Sequence, residues 1–182
     1  MSSARRPSPR PAALALAAAL AAPAAARAQL PVPGVNPFSF GVEAGPAFPV
    51  GGIGDALNTG FTVGALAEAR LPALPIGVRV EAEYARFGVK NESDNVRVFS
   101  GTANAVLRLS PVALSLVRPY LIGGVGIYGV NQGQGAKAGV NIGGGVSVPL
   151  VAVTAFADVR YTRVFTDAPR LNYVPLRVGV RF

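Results

Sequence analysis

Over eight long stretches of this chain, apolar residues recur at every second position, and that period permits strands and little else. The stretches are 38–48, 59–71, 76–87, 96–109, 117–130, 137–148, 152–165 and 172–182. A period of two places alternate side chains on opposite faces of an extended backbone, whereas a helix needs repeats near 3.6. Each stretch is near the roughly 9–11 residues that a tilted strand needs to cross a bilayer, and longer than the 5–6 usual in globular domains. The even strand number and the Gly and Pro punctuation predict an all-β chain. The expected fold is an eight-stranded antiparallel up-and-down transmembrane β-barrel over 38–182.

The charges decide which face points inward. In the third stretch Ile76, Val78, Val80, Ala82 and Tyr84 share one face, and Arg79, Glu81 and Glu83 share the other. The second, seventh and eighth stretches divide in the same way. A soluble barrel would turn its apolar face inward and its charges to water. Here the charged face mixes signs and is interleaved with Gly, Ser and Thr, while the apolar face has no charge at its middle. A mid-plane arginine facing lipid costs about 2–4 kcal/mol, whereas inside a polar lumen it finds partners. The inverted facing is therefore predicted, with a lumen network of Glu43, Glu68, Arg70, Arg79, Glu81, Glu83, Arg108, Asp158, Arg160, Arg177 and Arg181. Eight strands enclose little more than their own side chains, so such a network should fill the interior.

Three arginines fall on the apolar parity: Arg86, Arg97 and Arg163, all at the ends of strands remote from the chain termini. They are candidates for contact with lipid phosphates of an outer leaflet, lipopolysaccharide included; the alternative is wetting by solvent. Pro46, Pro49 and Pro175 remove ladder donors and are expected to gather where the first and last strands close the barrel, leaving that seam end loose.

The start of the chain reads differently. Arg5, Arg6 and Arg10 precede an apolar run over 12–26, followed by Ala26-Arg27-Ala28. A basic region, a short apolar core and an A-x-A site predict a signal peptide over 1–28, then a short lead over 29–37. Four of the formal +8 charges lie in that segment with no acid to offset them, so the high pI is no sign of nucleic-acid binding.

Several chemistries are excluded or disfavoured. The chain has no cysteine and no histidine, so it lacks thiolate metal sites, disulfides and the usual general base. GVGIYG (124–129) matches a dinucleotide fingerprint but sits inside an alternating strand with no helix behind it. Asp55, Glu92, Asp94 and Asp167 are scattered singly over connections, unlike a cation-binding loop. Neither a cofactor nor an enzyme activity is expected.

RPYLIGGVGIYGV (118–130), FADVRYTRVF (156–165) and YVPLRVGVRF (173–182) resemble the small outer-membrane β-barrel proteins of the OmpA/OmpX-like superfamily. The resemblance covers about residues 36–182 and implies an outer-membrane location. It also implies that the last strand, through Tyr173, Val178, Val180 and Phe182, is read by the barrel assembly machinery. A monomer with a structural, envelope-integrity or surface-interaction role is expected; the alternative is a narrow channel. Lipid-modifying enzymes on similar barrels rely on a histidine with a serine, and here there is none.

Overall fold

The computed structural model describes residues 37–71, 74–91, 94–109, 116–131, 135–166 and 171–182. The predicted signal peptide, all but residue 37 of the predicted lead, and the loop acids Glu92 and Asp167 lie outside them. The strands are β1 (Phe38–Val50), β2 (Gly60–Arg70), β3 (Ile76–Gly88), β4 (Asn95–Arg108), β5 (Arg118–Val130), β6 (Ala136–Pro149), β7 (Thr154–Val164) and β8 (Leu171–Arg181). No boundary differs from the sequence expectation by more than two residues. Each strand pairs antiparallel with the next, and β8 returns to β1 to close the barrel. Closure leaves no edge strand with unpaired backbone groups, a requirement in lipid.

The ladder reaches the last residue. Phe182 donates its backbone N–H to Phe40 (2.8 Å) and accepts from Phe40 N–H (3.0 Å). Pro37 and Phe182 lie at one rim, called near, with the β2–β3, β4–β5 and β6–β7 connections; the other connections form the far rim. Pro46 and Pro175 each interrupt pairing because neither has an N–H to give. The β1–β8 ladder skips Gly45 and Pro46 opposite Leu176 and Arg177, and the β7–β8 ladder skips Arg160 and Tyr161 opposite Val174 and Pro175. Beyond the barrel, the β1–β2 connection forms a 3-10 turn (Gly51–Asp55), and Leu57 then bridges to Val89.

The two faces of the sheet differ in kind. On β3, Ile76, Val78 and Val80 are 37%, 48% and 50% exposed on the outside, while Arg79 and Glu81 are 0% and 5% exposed within. Outward apolar residues continue around the barrel, with Phe40 and Val42 on β1, Phe99 on β4, Val125 and Ile127 on β5 and Val178 and Val180 on β8. The interior is not polar throughout. At the far rim the inward side chains of Ala47, Ala85, Phe87, Val96, Val98, Val164 and Leu171 pack with Leu57, Tyr128 and Tyr173 into an apolar plug. Phe87 and Tyr173 meet edge to face there, with ring centroids 5.5 Å apart.

Candidate functional site

Alternation along eight strands aims charged side chains from most of them at one axis, and the register then chooses the partners. Nearest the near rim, Glu68 on β2 accepts from Arg79 Nε (2.9 Å) and lies 2.8 Å from Arg79 Nη2. The same carboxylate also takes Arg181 Nη1 and Arg108 Nη2. Arg70 comes no nearer than 4.0 Å, and its side chain is 40% exposed at the mouth. The Arg79 guanidinium is held between two rings, 5.3 Å from the centroid of Tyr120 and 5.2 Å from that of Phe156.

At mid-height, Glu81 receives Arg160 in a two-pronged contact, Nη1 to Oε2 at 2.6 Å and Nη2 to Oε1 at 2.7 Å. Two parallel N–H donors to one carboxylate make the strongest geometry open to such a pair. Asn104 and Thr102 donate to the same Glu81 oxygen at 2.9 and 3.1 Å. Asp158 accepts from Arg160 (3.0 and 3.1 Å), from Arg177 Nε (3.2 Å) and from the Tyr120 hydroxyl (2.9 Å). Arg177 then reaches Glu43 (3.1 Å) and Glu83 (2.8 Å). The groups form one connected system, with Arg79 lying 3.6 Å from both Glu81 and Asp158 as the link between its two levels.

The charge balance explains why such burial is tolerated. Five carboxylates and the guanidiniums of Arg79, Arg160, Arg177 and Arg181 are buried, and Arg108 at 25% exposure supplies the fifth cation. A buried ion left alone is expensive, while a paired and hydrogen-bonded one is sustained by its neighbours. Between network and plug remains a cavity of about 10 Å³, lined in part by Glu83, Thr102, Tyr128, Asn141 and Arg177. That is about enough for one water.

The other site residues predicted from sequence separate into groups. Val178, Val180 and Phe182 share the outer face, whereas Tyr173 is buried in the plug with its hydroxyl 3.5 Å from Glu83. Arg86 and Arg97 are direct cross-strand neighbours on the outer face at the far rim. Arg163 lies at the same rim on β7, with its guanidinium 5.8 Å from the ring of Phe165, and does not join that pair. Sequence reasoning missed the plug. Its members follow the inward parity, but in the sequence only the charged positions mark that face, and Leu57 belongs to a connection.

No protein-family model and no curated protein matches this sequence. Solved structures do. The crystal structure of Neisserial surface protein A (NspA) superposes with a TM-score of 0.66 at 22% identity, covering 81% of this chain and 97% of that one. The fold is that of the small eight-stranded outer-membrane barrels. The outer membrane enzyme PagL aligns at 12% identity and a TM-score of 0.54, over 79% of this chain and 98% of that one. A major outer membrane protein from Thermus thermophilus aligns at 17% identity and a TM-score of 0.50, over 81% and 99%.

Proposed function

We propose that this chain is an integral barrel of an outer membrane, exported by a cleaved signal peptide over 1–28, with a structural or surface-interaction role rather than a catalytic one. The observation that carries the reading is the inversion of the faces. Ionic side chains are sequestered and mutually paired, while large apolar side chains such as Phe99 (62%) and Ile142 (68%) stand exposed. In water that surface would be an aggregation hazard; in lipid it is the solvent-matched face. The likeness to barrels described as outer-membrane and surface proteins agrees with this reading. PagL shares the fold and is described as an enzyme, but the present chain has no histidine to serve as a base.

The outward row of Val178, Val180 and Phe182 is the part of β8 offered to the assembly machinery, and lipid, lipopolysaccharide included, is the standing partner of a monomeric barrel. A passive structural role is favoured over a channel because network and plug occupy the lumen in series. The full chain folded in detergent is expected to migrate faster on an SDS gel unboiled than boiled. In planar bilayers it is expected to give no steady conductance steps. Ion-selective steps from the same gel-shifting material would establish the channel instead, and a protein folded and soluble without detergent would remove the membrane assignment altogether.

A further inference from the structure

Arg86 on β3 and Arg97 on β4 face each other directly across the ladder, both exposed on the outer face. Like charges placed opposite one another on a sheet repel and destabilise it. Elsewhere among the described residues arginines gather around carboxylates, as Arg79, Arg108 and Arg181 do around Glu68. Among the described residues, no carboxylate oxygen lies within 4.0 Å of the Arg86 or Arg97 guanidinium. Among the described residues the pair therefore has no anion.

Its surroundings are ordered for one. Arg86 Nε donates to Asn95 Oδ1 at 3.2 Å, which steadies the side chain through Nε rather than through a terminal nitrogen. Asn131 Oδ1 accepts from the Arg97 backbone N–H at 3.0 Å, and Asn131 Nδ2 donates to the Asn95 carbonyl at 3.3 Å. Asn131 thus braces the β4 backbone that carries Arg97, and Asn95 holds the Arg86 side chain.

Height on the barrel identifies the anion. Tyr84 and Phe99 pair across the same two strands, two positions further from the rim, with centroids 4.9 Å apart. Phe61, opposite Arg86 on β2, joins them with its ring 6.2 Å from Tyr84. Outward aromatic rings mark the interface between hydrocarbon and headgroups. Two residues of a tilted strand then set the arginines about 5–7 Å beyond the Tyr84–Phe99 pair, at the level of headgroup phosphates.

We propose that Arg86 and Arg97 form a two-arginine clamp for the phosphate of a membrane lipid whose acyl chains lie on the Phe61–Tyr84–Phe99 shelf. This rests on the membrane assignment above. Guanidinium forks match phosphate oxygens in pairs, and a phosphate monoester carries enough charge to neutralise both cations. Arg163, on the outer face of β7, is not part of the clamp.

The test uses the full chain folded in detergent micelles and native mass spectrometry with two lipids of identical acyl chains. Phosphatidic acid carries the phosphate and diacylglycerol lacks it. Wild type is expected to retain phosphatidic acid and to lose diacylglycerol. Arg86→Gln or Arg97→Gln is expected to cut retention roughly tenfold, and the double variant about a hundredfold. The lysine variants, which keep charge but lose the fork, should fall between, and Arg163→Gln should match wild type. The unboiled gel shift must persist in every variant, so loss of fold is separated from loss of binding. Equal retention of the two lipids, or a double variant that binds as wild type does, overturns the clamp. Displacement of the lipid by millimolar inorganic phosphate makes the site one for free phosphate and overturns the lipid assignment. A chain that folds without detergent overturns the membrane reading, which the lipid comparison does not address.

Discussion

Glu68→Gln is expected to destabilise the folded barrel by about 3–5 kcal/mol, the cost of removing one partner from a buried ionic group. Glu68 is the carboxylate on which Arg79, Arg108 and Arg181 converge, and both Arg79 and Glu68 have side chains 0% exposed. Losing its charge leaves three guanidiniums crowded against a neutral amide. Of its ion pairs Arg79 keeps the 3.6 Å approaches to Glu81 and Asp158. Urea unfolding of the micelle-folded chain, followed by circular dichroism and the gel shift, measures the change. Arg181→Met in the same chain should recover part of the loss by removing one of the stranded cations. Glu43→Gln should cost much less, about 1 kcal/mol, since its one ionic partner, Arg177, keeps Glu83 and Asp158. A Glu68→Gln change within about 0.5 kcal/mol, the range of an ordinary surface substitution, would mean that solvent rather than the network satisfies the arginines.

Gly45→Ala is expected to prevent barrel closure outright, so that no fast-migrating form appears on the unboiled gel. A Cβ at Gly45 would sit 1.9 Å from the Leu176 carbonyl oxygen and 3.1 Å from the Arg177 Cα, all of it backbone of the partner strand. The two backbones cannot part cheaply there, because the ladder holds them on both sides, at Ala44 opposite Val178 and at Ala47 opposite Pro175. A penalty above about 4 kcal/mol belongs to the small class of severe backbone clashes. Gly101→Ala provides the contrast on an outward position: its added Cβ meets only Ile127 Cγ1, at 4.0 Å, and should leave folding unchanged.

These two expectations differ in how far the sequence alone could have led to them. The strands, their ends and their facing follow from a period of two and from the side on which Arg79, Glu81 and Glu83 fall, both local properties. Partnership does not. Arg160 and Glu81 are 79 residues apart, and Arg177 and Glu43 are 134 apart. Which acid meets which base across the lumen depends on strand tilt and stagger, which no single strand encodes. The opposition of Arg86 and Arg97 depends in the same way on the β3–β4 register, and so does the approach of Gly45 to the seam. The plug was hidden for a different reason. Phe87, Val96, Val98 and Val164 follow the inward parity, yet only the barrel's geometry reveals that the far rim is packed with apolar side chains while the levels below it carry the charge.

The barrel is turned inside out relative to a soluble one, with large apolar side chains outside and paired charges within. Because the chain has no cysteine, single cysteines can be introduced and spin-labelled without background. Val125→Cys and Val178→Cys sit on the outer face at 62% and 60% exposure, and Val151→Cys, in the near-rim turn, is fully exposed. In lipid bilayers the labels at 125 and 178 are predicted to collide with oxygen and to be shielded from a water-soluble nickel chelate, while the label at 151 meets both. Labels at 125 and 178 that relax freely with the chelate would place that apolar face in water and contradict the account.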